Sequence, residues 1–121
     1  MRGIWLTLAL LTVLAVEAAP PHPAPDQSGK QMFKSYCASC HGRDGKGDGP
    51  VARALKISPS NLTVLAANAG GSFPRAHVVQ VIEEATTTSA HGSRQMPVWG
   101  SIISEPEARK LADYINTIQQ K

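Results

Sequence analysis

An all-α domain is what the sequence predicts, on three observations. No stretch alternates apolar and polar residues at the strand period of two. Near the end of the chain, Ala108, Leu111, Ala112, Ile115 and Ile118 form one apolar stripe at helical spacing, with Tyr114 beside it. Gly29, Phe33 and Cys37 recur every fourth residue and so share one helical face. At 121 residues with only 5% aromatics, the chain makes one small domain with few large side chains to fill a core. A domain of that size is marginal unless something staples it. The net charge of +3 is far from the profile of a nucleic-acid binder.

Residues 1–18 read as a secretory signal peptide. Arg2 supplies the positive start, residues 4–16 are apolar, and Val16-Glu17-Ala18 is a small-residue cleavage site. The 13-residue apolar run is short for a membrane-crossing helix. An uncleaved N-terminal anchor to the inner membrane is the alternative. Residues 19–28, with Pro20, Pro21, Pro23 and Pro25, form an extended leader in which His22 is solvated. The domain itself covers residues 29–121. Its first helix starts at about Ser28 and runs into Cys37. Phe33 packs inward, Met32 is a packing residue, and Gly29 lets another backbone approach closely.

Next comes Cys37-Ala38-Ser39-Cys40-His41. Two thiols three residues apart lie on one side of a helical turn, and an imidazole follows at once. C-x-x-C-H is the attachment signature of a c-type haem, with two thioether bonds and a proximal histidine on the iron. Two other chemistries compete. A thioredoxin-like dithiol wants a βαβ setting, and no strand pattern precedes Cys37. A structural zinc site needs four ligands, and these three residues are too crowded to supply three of them. Both cysteines of the chain lie in the motif, so the porphyrin itself would be the staple. In bacteria haem attachment takes place outside the inner membrane, which agrees with the export signal and a periplasmic location.

After the motif, residues 42–50 (GRDGKGDGP) form a tight Gly-rich loop that lacks the phosphate-loop and EF-hand patterns. A short helix is expected over 50–56, a second from Pro59-Ser60-Asn61 to about Ala67, and a break at Gly70-Gly71. A longer helix follows over 74–85, built on Val78, Val79, Val81 and Ile82, with His77 as a surface or packed residue. Residues 86–93 read as polar loop. Met96 then lies in an extended segment, because Pro97 disfavours helix before it. A thioether presented from a loop far from His41 suits the opposite haem face. His91 is the weaker candidate, and an open sixth position is the third reading. Trp99 adds aromatic surface, and its indole N–H needs a partner if buried, a haem propionate being one. The last helix opens on Ser104-Glu105-Pro106-Glu107, a capping box with proline in the first turn.

On these residues the domain resembles class I monohaem cytochromes c of bacteria, including the haem subunits or domains of periplasmic dehydrogenases and terminal oxidases. The resemblance covers most of residues 29–121 and rests on Gly29, Phe33 and CASCH, then GDGP, PSNLT, MPVWG, and Leu111 with Tyr114. It implies a cytochrome c fold of four to five helices round one covalent haem c, with the first and last helices crossing. It implies Cys37 and Cys40 as attachment points, His41 and Met96 as axial ligands, and Trp99 at the cofactor. It further implies that the Pro50 carbonyl, in Gly49-Pro50, orients the His41 ring. The function implied is one-electron transfer without substrate chemistry, by a soluble periplasmic carrier; the alternatives are a cytochrome c subunit of a larger oxidoreductase and, further off, a five-coordinate haem enzyme or gas sensor. Redox proteins are the expected partners, with Lys30, Lys34, Arg43, Lys46 and Arg94 steering an acidic one.

Overall fold

The computed structural model describes residues 27–84, 96–97 and 99–121. The signal and most of the leader, His91 and Arg94 lie outside the described residues. Every regular element among the described residues is helical. Helix α1 (Gly29–Met32) opens on Ser28, whose hydroxyl accepts from the Gln31 N–H while the Gln31 side chain accepts from the Ser28 N–H. This reciprocal capping box satisfies donors the first turn would leave orphaned. The helix continues through a π turn (Phe33–Cys37), in which the Ala38 N–H reaches back to the Phe33 carbonyl, into α2 (Ala38–His41). Single π turns are rare and cluster at functional sites.

Gly42, at φ 81°, ends α2. The Gly-rich loop then folds back on the helix end: Gly47 N–H donates to the His41 carbonyl (2.7 Å), Gly49 N–H to that of Cys40 (3.0 Å) and Val51 N–H to that of Ser39 (3.0 Å). The loop therefore supplies partners for the last carbonyls of the motif helix. A β-carbon on Gly49 would stand 2.6 Å from the Cys40 carbonyl oxygen and 2.7 Å from that of Ala38.

The helix expected over 50–56 is a single 3₁₀ turn (Ala52–Ala54), and Leu55 is already extended at ψ 142°. So short a segment, with neither a side-chain cap nor an apolar stripe, cannot repay helix nucleation. A second 3₁₀ turn (Leu62–Val64), capped by Asn61 through the Thr63 N–H, leads into α3 (Leu65–Asn68). Gly70 and Gly71 then take positive φ, as the predicted break requires. Helix α4 (Arg75–Glu84) buries Val78, Val81 and Ile82. Helix α5 (Glu105–Thr117) starts from the predicted Ser104–Glu107 capping box and buries Ala108, Leu111, Ala112 and Ile115.

Helix α5 packs against both α1 and α4. It meets α1 where Gly29 lies against the Lys110 carbonyl, and the Phe33 and Tyr114 rings are 5.2 Å apart at 56°. The predicted crossing through Leu111 and Tyr114 is thus present. Phe33, Met32, Ile103 and Leu111 are wholly buried in the core, each contributing roughly 1.5–3 kcal/mol of apolar burial. On the α4 side, Arg75 makes a two-pronged ion pair with Asp113, at 2.6 and 3.0 Å.

Candidate functional site

Between α2, the 55–60 segment, α4 and the Met96 segment lies a cavity of about 290 Å³, near the lower end of the ~300–1,000 Å³ usual for cofactor sites. Cys37, Cys40, His41, Met96 and Trp99 all line it, although residues 41 and 96 are far apart in sequence. Its remaining wall is mostly apolar, built from Leu55, Ile57, Leu62, Val78, Val81 and Ile82.

The His41 ring is fixed by a carbonyl, and that carbonyl is Ser60's: His41 Nδ1 lies 3.0 Å from Ser60 O. A carbonyl oxygen can only accept, so Nδ1 carries the proton and Nε2 is the lone-pair nitrogen of the neutral ring. The expectation placed on Pro50 is therefore corrected. Pro50 is exposed and off the cavity wall, because Gly49 and Val51 are held to the end of α2. The carbonyl comes ten residues later, from Pro59-Ser60-Asn61, where the Asn61 cap turns the chain.

Cys37 is buried and Cys40 half-buried. Burial, with Cys40 as a lesser cause, pushes the Cys37 thiol from 9.0 up to about 12. A redox dithiol or thiolate nucleophile needs the opposite shift. Among the described residues no group of three or more His, Cys, Asp or Glu could hold a metal ion, so the zinc reading gains no further ligand there. The donor set instead fits a haem: two thiols, an imidazole already oriented through Nδ1, a thioether, and an apolar wall.

Trp99 meets Tyr36 edge-on, with ring centroids 5.3 Å apart. Its backbone N–H donates to the Ile82 carbonyl and that of Gly100 to Glu83, tying the segment after Met96 to the end of α4. Three features of the site were not read from sequence: the Ser60 carbonyl, the Tyr36 ring, and His77, which is half-buried on the cavity wall. Tyr36 could have been found from its place beside Cys37. A backbone carbonyl leaves no residue-type signal. Lys30, Lys34, Arg43 and Lys46 are exposed but none lines the cavity, and Arg94, like His91, is not among the described residues.

Comparison with known proteins agrees with this geometry. The family model described as cytochrome c oxidase, cbb3-type, subunit III, matches residues 24–115. The cbb3-type cytochrome c oxidase subunit FixP of Sinorhizobium medicae is 28% identical over 106 residues, 88% of this chain and 32% of the relative. FixP of Azorhizobium caulinodans is 32% identical over 101 residues, 84% of this chain and 30% of the relative. The chain thus spans about a third of the length of these curated relatives. Among solved structures, the Kuenenia stuttgartiensis reducing HAO-like protein complex Kustc0457/Kustc0458 superposes with a TM-score of 0.58 at 26% identity, over 75% of this chain and 41% of that one. The c-type cytochrome KustC0563 superposes with a TM-score of 0.58 at 17% identity, over 78% of this chain and 100% of that one, a likeness of fold.

Proposed function

The chain belongs to the cytochrome c domain family of the cbb3-type oxidase subunit III, and on that premise we propose that it carries single electrons between redox proteins through a haem held by His41 and Met96. As a member of that family it is an electron-transfer protein whose haem c is attached through Cys37 and Cys40. When bound, the haem supplies the Fe(II)/Fe(III) couple. The observation that carries the ligand assignment is the convergence of His41 and Met96 on one cavity with both thiols.

Each residue then has a definite task. The two sulfurs hold the cofactor through thioether bonds. His41 presents Nε2, oriented and made more basic by the Nδ1–H bond to Ser60. Met96 offers the thioether, and a His/Met pair raises the potential above that of two nitrogen ligands. Leu62, Val78, Val81 and Ile82 exclude water from the ligands, while Ser39 and Ile57 are exposed at the rim. Lys30, Lys34, Arg43, Lys46 and Arg94 steer an acidic partner. Arg53 and Lys56 join them, because both are exposed beside the lining residues Leu55 and Ile57. Residues 1–18 direct export, and the mature carrier works in the periplasm.

Substituting Met96 by Ala in the holoprotein tests the ligand assignment. The weak near-infrared band of thioether-ligated ferric haem should vanish and carbon monoxide should bind the ferrous form readily. An unchanged spectrum would refute Met96 as ligand. A second reading, a subunit of a larger oxidoreductase, also fits the relatives, since the FixP proteins are cbb3-type oxidase subunits. Gel filtration of native extract separates the two, since a subunit would elute with its enzyme.

A further inference from the structure

We propose that Gln119 is a positioning residue for His41, a latch by which the C-terminal tail sets the hydrogen bond behind the axial imidazole; this rests on the reading of His41 as a haem ligand. The Gln119 carboxamide is used on both sides. Its Nε2 donates to the Leu62 carbonyl at 2.6 Å and to the Ile115 carbonyl at 2.9 Å, and its Oε1 accepts from the Ala66 N–H at 2.9 Å. The next residue adds a fourth bond, from the Gln120 N–H to the Thr63 carbonyl at 2.7 Å. Two adjacent tail residues therefore hold the Leu62–Val64 turn and the start of α3 to the end of α5.

The same turn is pinned from its other side. The Leu62 N–H donates to the Gly45 carbonyl at 2.6 Å, and the Asn61 carboxamide oxygen accepts from both the Thr63 N–H and the buried Thr63 hydroxyl. Ser60 directly precedes Asn61, the cap of this turn, and its carbonyl is the one 3.0 Å from His41 Nδ1. A tail far from that oxygen in sequence thus helps to fix the turn that follows it. No other common side chain of this length donates twice and accepts once without charge. An Nδ1–H bond to a carbonyl places electron density on Nε2 and orients the ring. Holding that bond favours the ferric state, and slackening it favours the ferrous state.

The test uses the holoprotein carrying Gln119→Met, which keeps the length and removes the donors. Deuterium exchange of the His41 ring N–H, followed by NMR in the reduced state, should accelerate at least tenfold, equivalent to about 1.4 kcal/mol, and the midpoint potential should rise. Asp113→Asn, which removes the surface ion pair between α4 and α5, should change neither. If Gln119→Met lowers the melting temperature while exchange and potential stay at wild-type values, Gln119 is merely structural and the latch is wrong. Should that variant fail to retain haem, Gln119→Glu, which can still accept from Ala66, carries the same two readouts. The ligand reading has its own control. A His41→Gly variant with a wild-type spectrum would refute His41 as ligand and the latch with it, whereas a failed latch with normal His41 ligation leaves the ligand reading standing.

Discussion

Replacing Gly29 by Ala sets two effects of opposite sign against each other. Helix propensity alone favours Ala by about 1 kcal/mol. Packing opposes it. The new β-carbon would fall inside the contact radius of the Lys110 carbonyl oxygen, with the carbonyl carbon at 2.8 Å and Tyr114 Cβ at 3.0 Å. Carbon contacts relax at roughly 3.5–4.0 Å, and the obstacle is helix backbone, not a side chain that can swing away. Helices α1 and α5 must therefore part, loosening Phe33 and Leu111, both wholly buried. Overpacking of this kind costs about 1–3 kcal/mol, and a backbone obstacle puts Gly29→Ala at the upper end. The net loss is then about 2 kcal/mol, a fall in melting temperature of roughly 8–16 °C for a domain of this size. Thermal unfolding of the oxidised holoprotein, followed by far-UV circular dichroism, measures it. A melting temperature equal to or above wild type would show that propensity wins and that the crossing is not close-packed at Gly29.

Other predictions follow the same logic. Gly49→Ala drives a β-carbon into the carbonyls at the end of α2, so it should destabilise the holoprotein by about 1–3 kcal/mol in chemical denaturation, and stability equal to wild type would contradict it. Asp113 is held below the usual carboxylate range by the hydrogen bond from Arg75. Its stabilising contribution is therefore present above the ordinary Asp value and lost as pH falls through the depressed one; Asp113→Asn should flatten that acid limb, and an unchanged limb would show that the pair adds nothing. Electron exchange with an acidic redox protein should slow as ionic strength rises from ~0.01 to ~0.15 M, more weakly in an Arg53→Glu/Lys56→Glu variant, and a rate indifferent to salt would dismiss the steering.

Much of this architecture was legible in the chain, for reasons that differ by residue. The α5 stripe and its Ser104–Glu107 cap were readable because local chemistry and helical period agree there. Gly29 and Phe33 were readable because a four-residue spacing survives as a face. The attachment motif was readable because its chemistry forces its spacing. Segment 50–56 was misread as a helix, since Pro50 and a few apolar residues imitate a helix start without a stripe to bury. The α2 end gave the other error: Gly49-Pro50 resembles the familiar place of an orienting carbonyl, but Pro50 is flanked by Gly49 and Val51, whose N–H groups are committed to the Cys40 and Ser39 carbonyls. The carbonyl that meets His41 belongs to Ser60, whose side chain has no part in the contact. Gln119 was illegible for a similar reason, as its partners at Leu62 and Ala66 are backbone groups brought near only by the fold.

The central claim is a haem fastened to Cys37 and Cys40, and mass measurement tests it most directly. The chain is expressed beside a haem-attachment system, denatured, extracted with acidified acetone and weighed intact. The account predicts the polypeptide plus one haem, with the added mass absent from a Cys37→Ala/Cys40→Ala variant. A wild-type mass equal to the bare polypeptide would contradict it.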